Sequence, residues 1–196
     1  GKEVLGGRPG GMPIINFYNA LKNENIKGVN TNDTVDFANL TSAFLSGTGD
    51  FVNLFEPNAT KLEKMNKGYV VASVGEECGE VPFTCFMAMR SYINKNEGQI
   101  EAFLRAVMKG YNYLMNATDD EIYEALAPSF STSTRSSIVT SVQTYKRIDA
   151  WMSSPAMEES AYNRLLAIMT NAGELDKNVD FSKVVDNSYA NRVMSA

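Results

Sequence analysis

The 196-residue sequence contains no histidine and carries a formal net charge of −5. The lack of imidazole removes the commonest general base near neutral pH, the usual hydrolytic triads and most transition-metal sites. The acidic balance, without any long basic run, argues against nucleic acid as a partner.

In chain order, Glu3–Gly6 reads as a strand feeding Gly6-Gly7-Arg8-Pro9-Gly10-Gly11-Met12-Pro13. Ile14, Ile15, Phe17, Tyr18 and Leu21 then recur at helical spacing, which predicts a helix over Met12–Asn25. Glycines let this loop approach another group closely, and Pro13 suits a helix's first turn. Unpaired N–H groups and the helix dipole make such a start a cradle for a small anion, here through Gly10, Gly11 and Met12. The loop is neither a Walker A motif nor a dinucleotide fingerprint, and a plain strand-to-helix turn is the alternative.

Further strands are predicted at Lys27–Asn30, Phe51–Phe55 and Tyr69–Val74, and helices at Val35–Ser46 and Pro57–Asn66. Strands alternating with helices imply a mainly parallel sheet. Phe37, Leu40, Ala43, Phe44 and Leu45 form the expected core stripe of Val35–Ser46. Glu56 precedes Pro57 at a helix start, where it serves either as a dipole-stabilised cap or as a ligand-facing carboxylate.

Gly75–Pro82 reads as a turn-rich crossing and Phe83–Met89 as one further strand. Cys78 and Cys85 suit buried free thiols, with a disulfide across the turn as the alternative. Nearly everything after Arg90 is helical. Ile100, Phe103, Leu104, Val107, Tyr111, Leu114 and Met115 share one face, Thr118–Glu121 forms a capping box, and helices follow at Ser136–Arg147, Pro155–Ala172 and Asp186–Met194. Met87, Met89, Met115 and Met152, with Met12, Met108, Met157 and Met169, read as gap-filling core residues, and none is spaced for a metal. Only one strand is on offer to all these helices, so their apolar faces call for another surface, through pairing with a second copy or exchange of the segment after Gly75–Pro82. No apolar run reaches membrane-spanning length, and the first residues lack the order of a signal peptide.

Gly6–Pro13, Asp36-Phe37, Ala43–Gly47, Gly49-Asp50 and Leu54–Pro57 resemble the substrate-binding proteins of nitrate/sulfonate/taurine-type ABC importers. Gly68–Ser73, Gly79–Thr84 and Asn171–Leu175 extend the likeness along the chain. The resemblance implies an α/β, periplasmic-binding-protein-like (type II) fold. Residues 1–80 would be the α/β ligand-binding lobe, and 81–196 the crossover strand and C-terminal helices of the other lobe. The family's N-terminal segment, with its export signal and most of that lobe's sheet, has no counterpart. The implied role is an extracytoplasmic solute-binding component serving an ABC permease, with neither catalysis nor cofactor nor metal. Its ligand would be a small anion or zwitterion held by Gly10, Gly11, Met12 and Glu56, with Pro82, Phe83 and Thr84 at the crossing. A ligand-sensing domain of a regulator, and an enzyme of pyrimidine-precursor synthesis on the same fold, are the alternatives.

Overall fold

Three short strands, β1 (Glu3–Leu5), β2 (Asn30–Asn32) and β3 (Phe51–Val52), form a parallel sheet in the order β2-β1-β3 in the computed structural model, which describes residues 1–195. Parallel strands cannot be joined by a tight turn, so helices carry the crossings. The first is α1 (Met12–Asn23), and the second combines a 3₁₀ turn, Phe37–Asn39, with α2 (Leu40–Leu45). The register sets Glu3 opposite Asn30, Leu5 opposite Asn32 and Val4 opposite Phe51. Central β1 is the apolar strand, with Leu5 fully buried; β2 is the polar edge strand Asn-Thr-Asn.

Two short helices close this first part, α3 (Asn58–Lys64) and α4 (Val74–Cys78). The remainder is helical: α5 (Arg90–Ile93), α6 (Glu97–Asn116), α7 (Asp119–Leu126), α8 (Arg135–Arg147), α9 (Glu159–Asn171), α10 (Phe181–Val184) and α11 (Ser188–Met194). One core cluster ties the two parts together. Ile14 and Ile15 of α1 meet Ile168 of α9, with Val81 and Ala172 packed beside them.

Polar links hold the other helices in place. Lys64 of α3 donates to Ser136 and Thr140 of α8, and Arg135 of α8 pairs with Asp120 of α7. Arg192 of α11 pairs with Glu101 of α6 at 2.7 Å and lies over the Tyr189 ring. The capping box at Thr118 is present, with the Glu121 carboxylate accepting from the Thr118 N–H at 2.8 Å. Gly173 ends α9 in the left-handed region, as a stop signal should.

Several expectations are corrected. Tyr69–Val74 is not a strand: its residues are largely exposed, and Ser73 caps α4, a helix inside the stretch read as a turn-rich crossing. Phe83–Met89 is not a strand either, because no described strand lies beside it to complete a ladder. Val35–Ser46 shortens to the 3₁₀ turn and α2, where Leu40 alone is fully buried and Phe37 and Leu45 are exposed. Edge strand β2 starts at Asn30 rather than Lys27, where pairing with β1 begins. β3 stops at Val52, and the helix expected from Pro155 starts at Glu159. Met87, Met89, Met115 and Met152 are exposed rather than core. Both cysteines are free, Cys78 buried but Cys85 exposed.

Candidate functional site

The order β2-β1-β3 sends the chain after β1 to one side of the sheet, while β3 lies on the other. In open α/β sheets this divergence leaves a crevice outside the carboxyl ends of the strands, at the switch between β1 and β3. The segments at those carboxyl ends are the glycine loop after β1, Asn53–Phe55 after β3 and, after β2, the stretch that leads to Phe37. The loop is anchored there because Asn53 Nδ2 donates to the Pro13 carbonyl at 3.0 Å.

At the start of α1 the N–H groups of Gly10, Met12 and Ile14 have no acceptor among the described residues. Gly11 N–H reaches the Arg8 carbonyl at 3.4 Å, a long bond that a better acceptor would displace. Gly10 sits at φ +69°, a backbone state that side chains rarely tolerate. A Cβ there would stand 3.5 Å from Glu174 Oε2. The carboxylate of Glu174 therefore borders the cradle, and it makes no hydrogen bond or ion pair among the described residues.

Beside the loop runs a row of three aromatic rings. Phe37 and Phe55 have centroids 5.4 Å apart, and Phe55 and Phe83 meet edge-on at 5.6 Å. Gly7 joins the row to the cradle, since a Cβ on it would lie 4.0 Å from the Phe37 ring. All three rings are exposed although aromatic, which marks a surface able to receive a flat or apolar group.

Phe83 belongs to the ring row, while Gly10, Gly11 and Met12 lie in the loop at the start of α1, which Gly7 joins to that row. Glu56 is engaged elsewhere. Its carboxylate accepts from Thr60 N–H at 3.0 Å, Thr60 Oγ1 at 2.9 Å and Ser141 Oγ at 3.4 Å, so it caps α3 and links it to α8. The Glu56 N–H donates to Tyr145 Oη at 3.1 Å, and burial raises that phenol above its ordinary range. Pro82 is half-buried beside Val81, itself half-buried against the core cluster; Thr84 is exposed, and its hydroxyl has no partner among the described residues.

Phe37, Phe55 and Glu174 were not singled out as site residues from sequence. Phe37 was read as core because its spacing fits a helix stripe. Glu174 follows the glycine that ends α9, and only the packing of α9 on α1 brings it to Gly10. Among the described residues no group of three or more His, Cys, Asp or Glu side chains is placed to hold a metal. Two cavities of about 440 and 360 Å³ lie elsewhere, one between α6 and the end of α11, the other beside α9 and Phe181.

Residues 10–121, from the cradle through α6, match the family described as NMT1/THI5 like. The chain belongs to the NMT1/THI5-like family. It is also 38% identical over 198 residues to a protein of Bacillus subtilis (strain 168) named “Putative binding protein YtlA”. That match covers 100% of this chain and 59% of YtlA, so the chain spans about three fifths of its relative's length. Membership and relative agree with the resemblance read from the glycine loop onwards, and they support a solute-binding role. Among the described residues no helix is long and apolar enough to cross a membrane.

Proposed function

We propose that this chain is the solute-binding part of an ABC importer and captures a small molecule bearing an oxyanion in the β1/β3 crevice, without catalysis. The observation that carries the reading is the set of unpaired N–H groups of Gly10, Met12 and Ile14 at the start of α1. They are free to bind an oxyanion, and the helix dipole adds to their field. The ring row of Phe37, Phe55 and Phe83 supports a ligand with a planar or apolar body. Glu174 supports a cationic or N–H-donating group at the other end of the ligand, so a zwitterion is favoured over a bare anion. In this reading residues 1–80 form the ligand-binding lobe and 81–196 belong to a second one. The working place is extracytoplasmic and the downstream partner is a permease.

Calorimetric titration with nitrate, a simple alkyl sulfonate and taurine, on the chain and on Glu174→Gln, tests it. The unsubstituted chain should prefer the zwitterion. Removing one like charge a few ångströms from the oxyanion should strengthen the simple anions about 3–10-fold. No heat from any of the three, or an unchanged ranking in Glu174→Gln, would remove the support for the reading.

A further inference from the structure

Phe55 is the middle ring of the row, 5.4 Å from Phe37 and 5.6 Å from Phe83, and it belongs to neither a helix nor a strand. Its place is therefore set by what holds the chain on either side. Two residues earlier, Asn53 N–H donates to the Leu5 carbonyl at 2.9 Å and Asn53 Nδ2 to the Pro13 carbonyl at 3.0 Å. These bonds tie the chain to β1 and to the start of α1. Beyond the ring the tie is to a different element. The peptide joining Phe55 to Glu56 is bonded at both ends. Its carbonyl accepts from Asn58 and Ala59 N–H at 3.1 and 3.3 Å, and its N–H donates to Tyr145 Oη of α8 at 3.1 Å.

The two ends differ in reach. The bonds from Asn58 and Ala59 are local, the opening turn of α3, and would swing with that helix. The bond to Tyr145 spans 89 positions of sequence and fixes the peptide against a separate helix. That helix is itself held, since Ser137, Ile138, Val139, Ser141 and Val142 are buried. The Tyr145 ring packs edge-on against Trp151 with centroids 5.5 Å apart, and Ser141 Oγ donates to the Glu56 carboxylate at 3.4 Å. Edge-on ring contacts depend on angle as well as distance, so a turn of the Phe55–Glu56 peptide would open the row.

We propose that Tyr145 is a positioning residue of the solute site. It grips the Phe55–Glu56 peptide so that the Phe55 ring stands between Phe37 and Phe83. It thereby sets the preference for a solute with a flat apolar body over a bare anion. The inference rests on the crevice reading above for its ligand, but not for its geometry.

The test compares Tyr145→Phe with Tyr162→Phe in the full chain. The first removes the acceptor of the Glu56 N–H and keeps the ring against Trp151. The second removes a hydroxyl bonded to the Val179 carbonyl at 2.8 Å, beside Phe181, which is no part of the row. Nuclear Overhauser contacts of the Phe55 ring with Phe37 and Phe83, assigned through Phe55→Leu, should be present in the parent and in Tyr162→Phe. They should be lost in Tyr145→Phe. Calorimetry should show benzenesulfonate binding weakened about 3–10-fold in Tyr145→Phe, the worth of one hydrogen bond, with nitrate binding unchanged. Ser141→Ala should move both readings the same way by less, and it decides the matter if Tyr145→Phe does not fold. Ring contacts that survive in Tyr145→Phe, that the parent lacks, or that Tyr162→Phe removes equally overturn the proposal. So does a lost row that leaves the ratio of benzenesulfonate to nitrate affinity where it was. A row lost in Tyr145→Phe, in a chain whose parent binds neither anion, sinks the solute reading and leaves the grip of Tyr145 on Phe55 standing.

Discussion

Helices α1 and α6 are built on the same principle and meet different fates. Each carries an apolar stripe at helical spacing, and α6 is the longer, with 20 residues against 12. Yet α1 buries Ile14, Ile15, Asn16 and Ala20, while no residue of α6 is buried. The difference lies in what each helix has to lie on. α1 sits between the β1–β2–β3 sheet and α9, whereas α6 has α11 along one side and the unpaired 83–88 segment along another. Amphipathicity states that a helix wants a partner; only the rest of the fold decides whether it gets one.

The largest expected effect is a direct contrast between the two helices. Ile14 is 1% exposed, so Ile14→Ala should destabilise by about 2–5 kcal/mol through lost burial and the cavity left behind. Leu5→Ala in β1 should behave alike. Phe103→Ala on α6 removes a larger side chain and should still change stability by less than about 0.5 kcal/mol, since an exposed side chain leaves no cavity. Urea denaturation of the three variants measures this. If Phe103→Ala proves as damaging as Ile14→Ala, α6 is covered in solution and the contrast falls.

A smaller effect should come from the joint between the parts. The Glu56 carboxylate accepts from both the N–H and the hydroxyl of Thr60 and reaches Ser141 of α8. Glu56→Ala should therefore cost about 0.5–2 kcal/mol, the range of a lost helix cap. Glu56→Gln keeps one acceptor oxygen and should cost less. Thermal melting of both, beside taurine titration, separates capping from ligand contact. A changed ligand preference with unchanged melting would give Glu56 to the crevice instead.

What could be read from sequence was what neighbours in sequence decide. The capping box at Thr118–Glu121, the stop at Gly173 and the glycine loop opening α1 are local patterns, and the structure contains each of them. The apolar runs Tyr69–Val74 and Phe83–Met89 announced burial but not their partners. Being a strand is a property of a ladder, so neither run is one here. The crevice was half legible. Gly10, Gly11 and Met12 stand out as a motif, but Glu174 and the row Phe37–Phe55–Phe83 come together only through the packing of α9 on α1 and the order of three strands. Met87 and Met89 were misjudged for the same reason, since composition cannot say which apolar side chains lack a lid.

A cysteine comparison sharpens the picture at modest cost in stability. Cys78 packs under α1, its thiol donating to the Asn16 carbonyl at 3.1 Å, and burial raises its pKa. Cys85 is exposed, in a stretch that makes no backbone hydrogen bond among the described residues. Brief alkylation near neutral pH, followed by peptide mass analysis, should label Cys85 and spare Cys78. Labelling of Cys78 should rise only as the first part of the chain unfolds. Equal early labelling would mean that α4 does not stay docked on α1.

The smallest effect is the pH response, which again divides by what each charge touches. Four carboxylates sit below their ordinary range. Asp50 is lowered chiefly by its hydrogen bond from Lys2, Glu101 by Arg192, Glu121 by the Thr118 N–H, and Asp186 by the Ser188 hydroxyl ahead of Arg90. A carboxyl whose folded pKa is depressed contributes its stabilisation in full above its unfolded value and loses it as pH falls through the folded one. With ordinary carboxylates near about 4, melting temperature should stay nearly level from about pH 7 to 5 and decline below about 4. These groups are mostly exposed and screened, so the decline should be shallow and salt-sensitive. Glu121→Gln should make it shallower still, because the capping carboxylate no longer titrates. The absence of histidine makes this a clean test, since no side chain of ordinary pKa changes charge between about pH 6 and 7. A drop in melting temperature inside that interval would show that the lowered carboxylates do not govern the acid response.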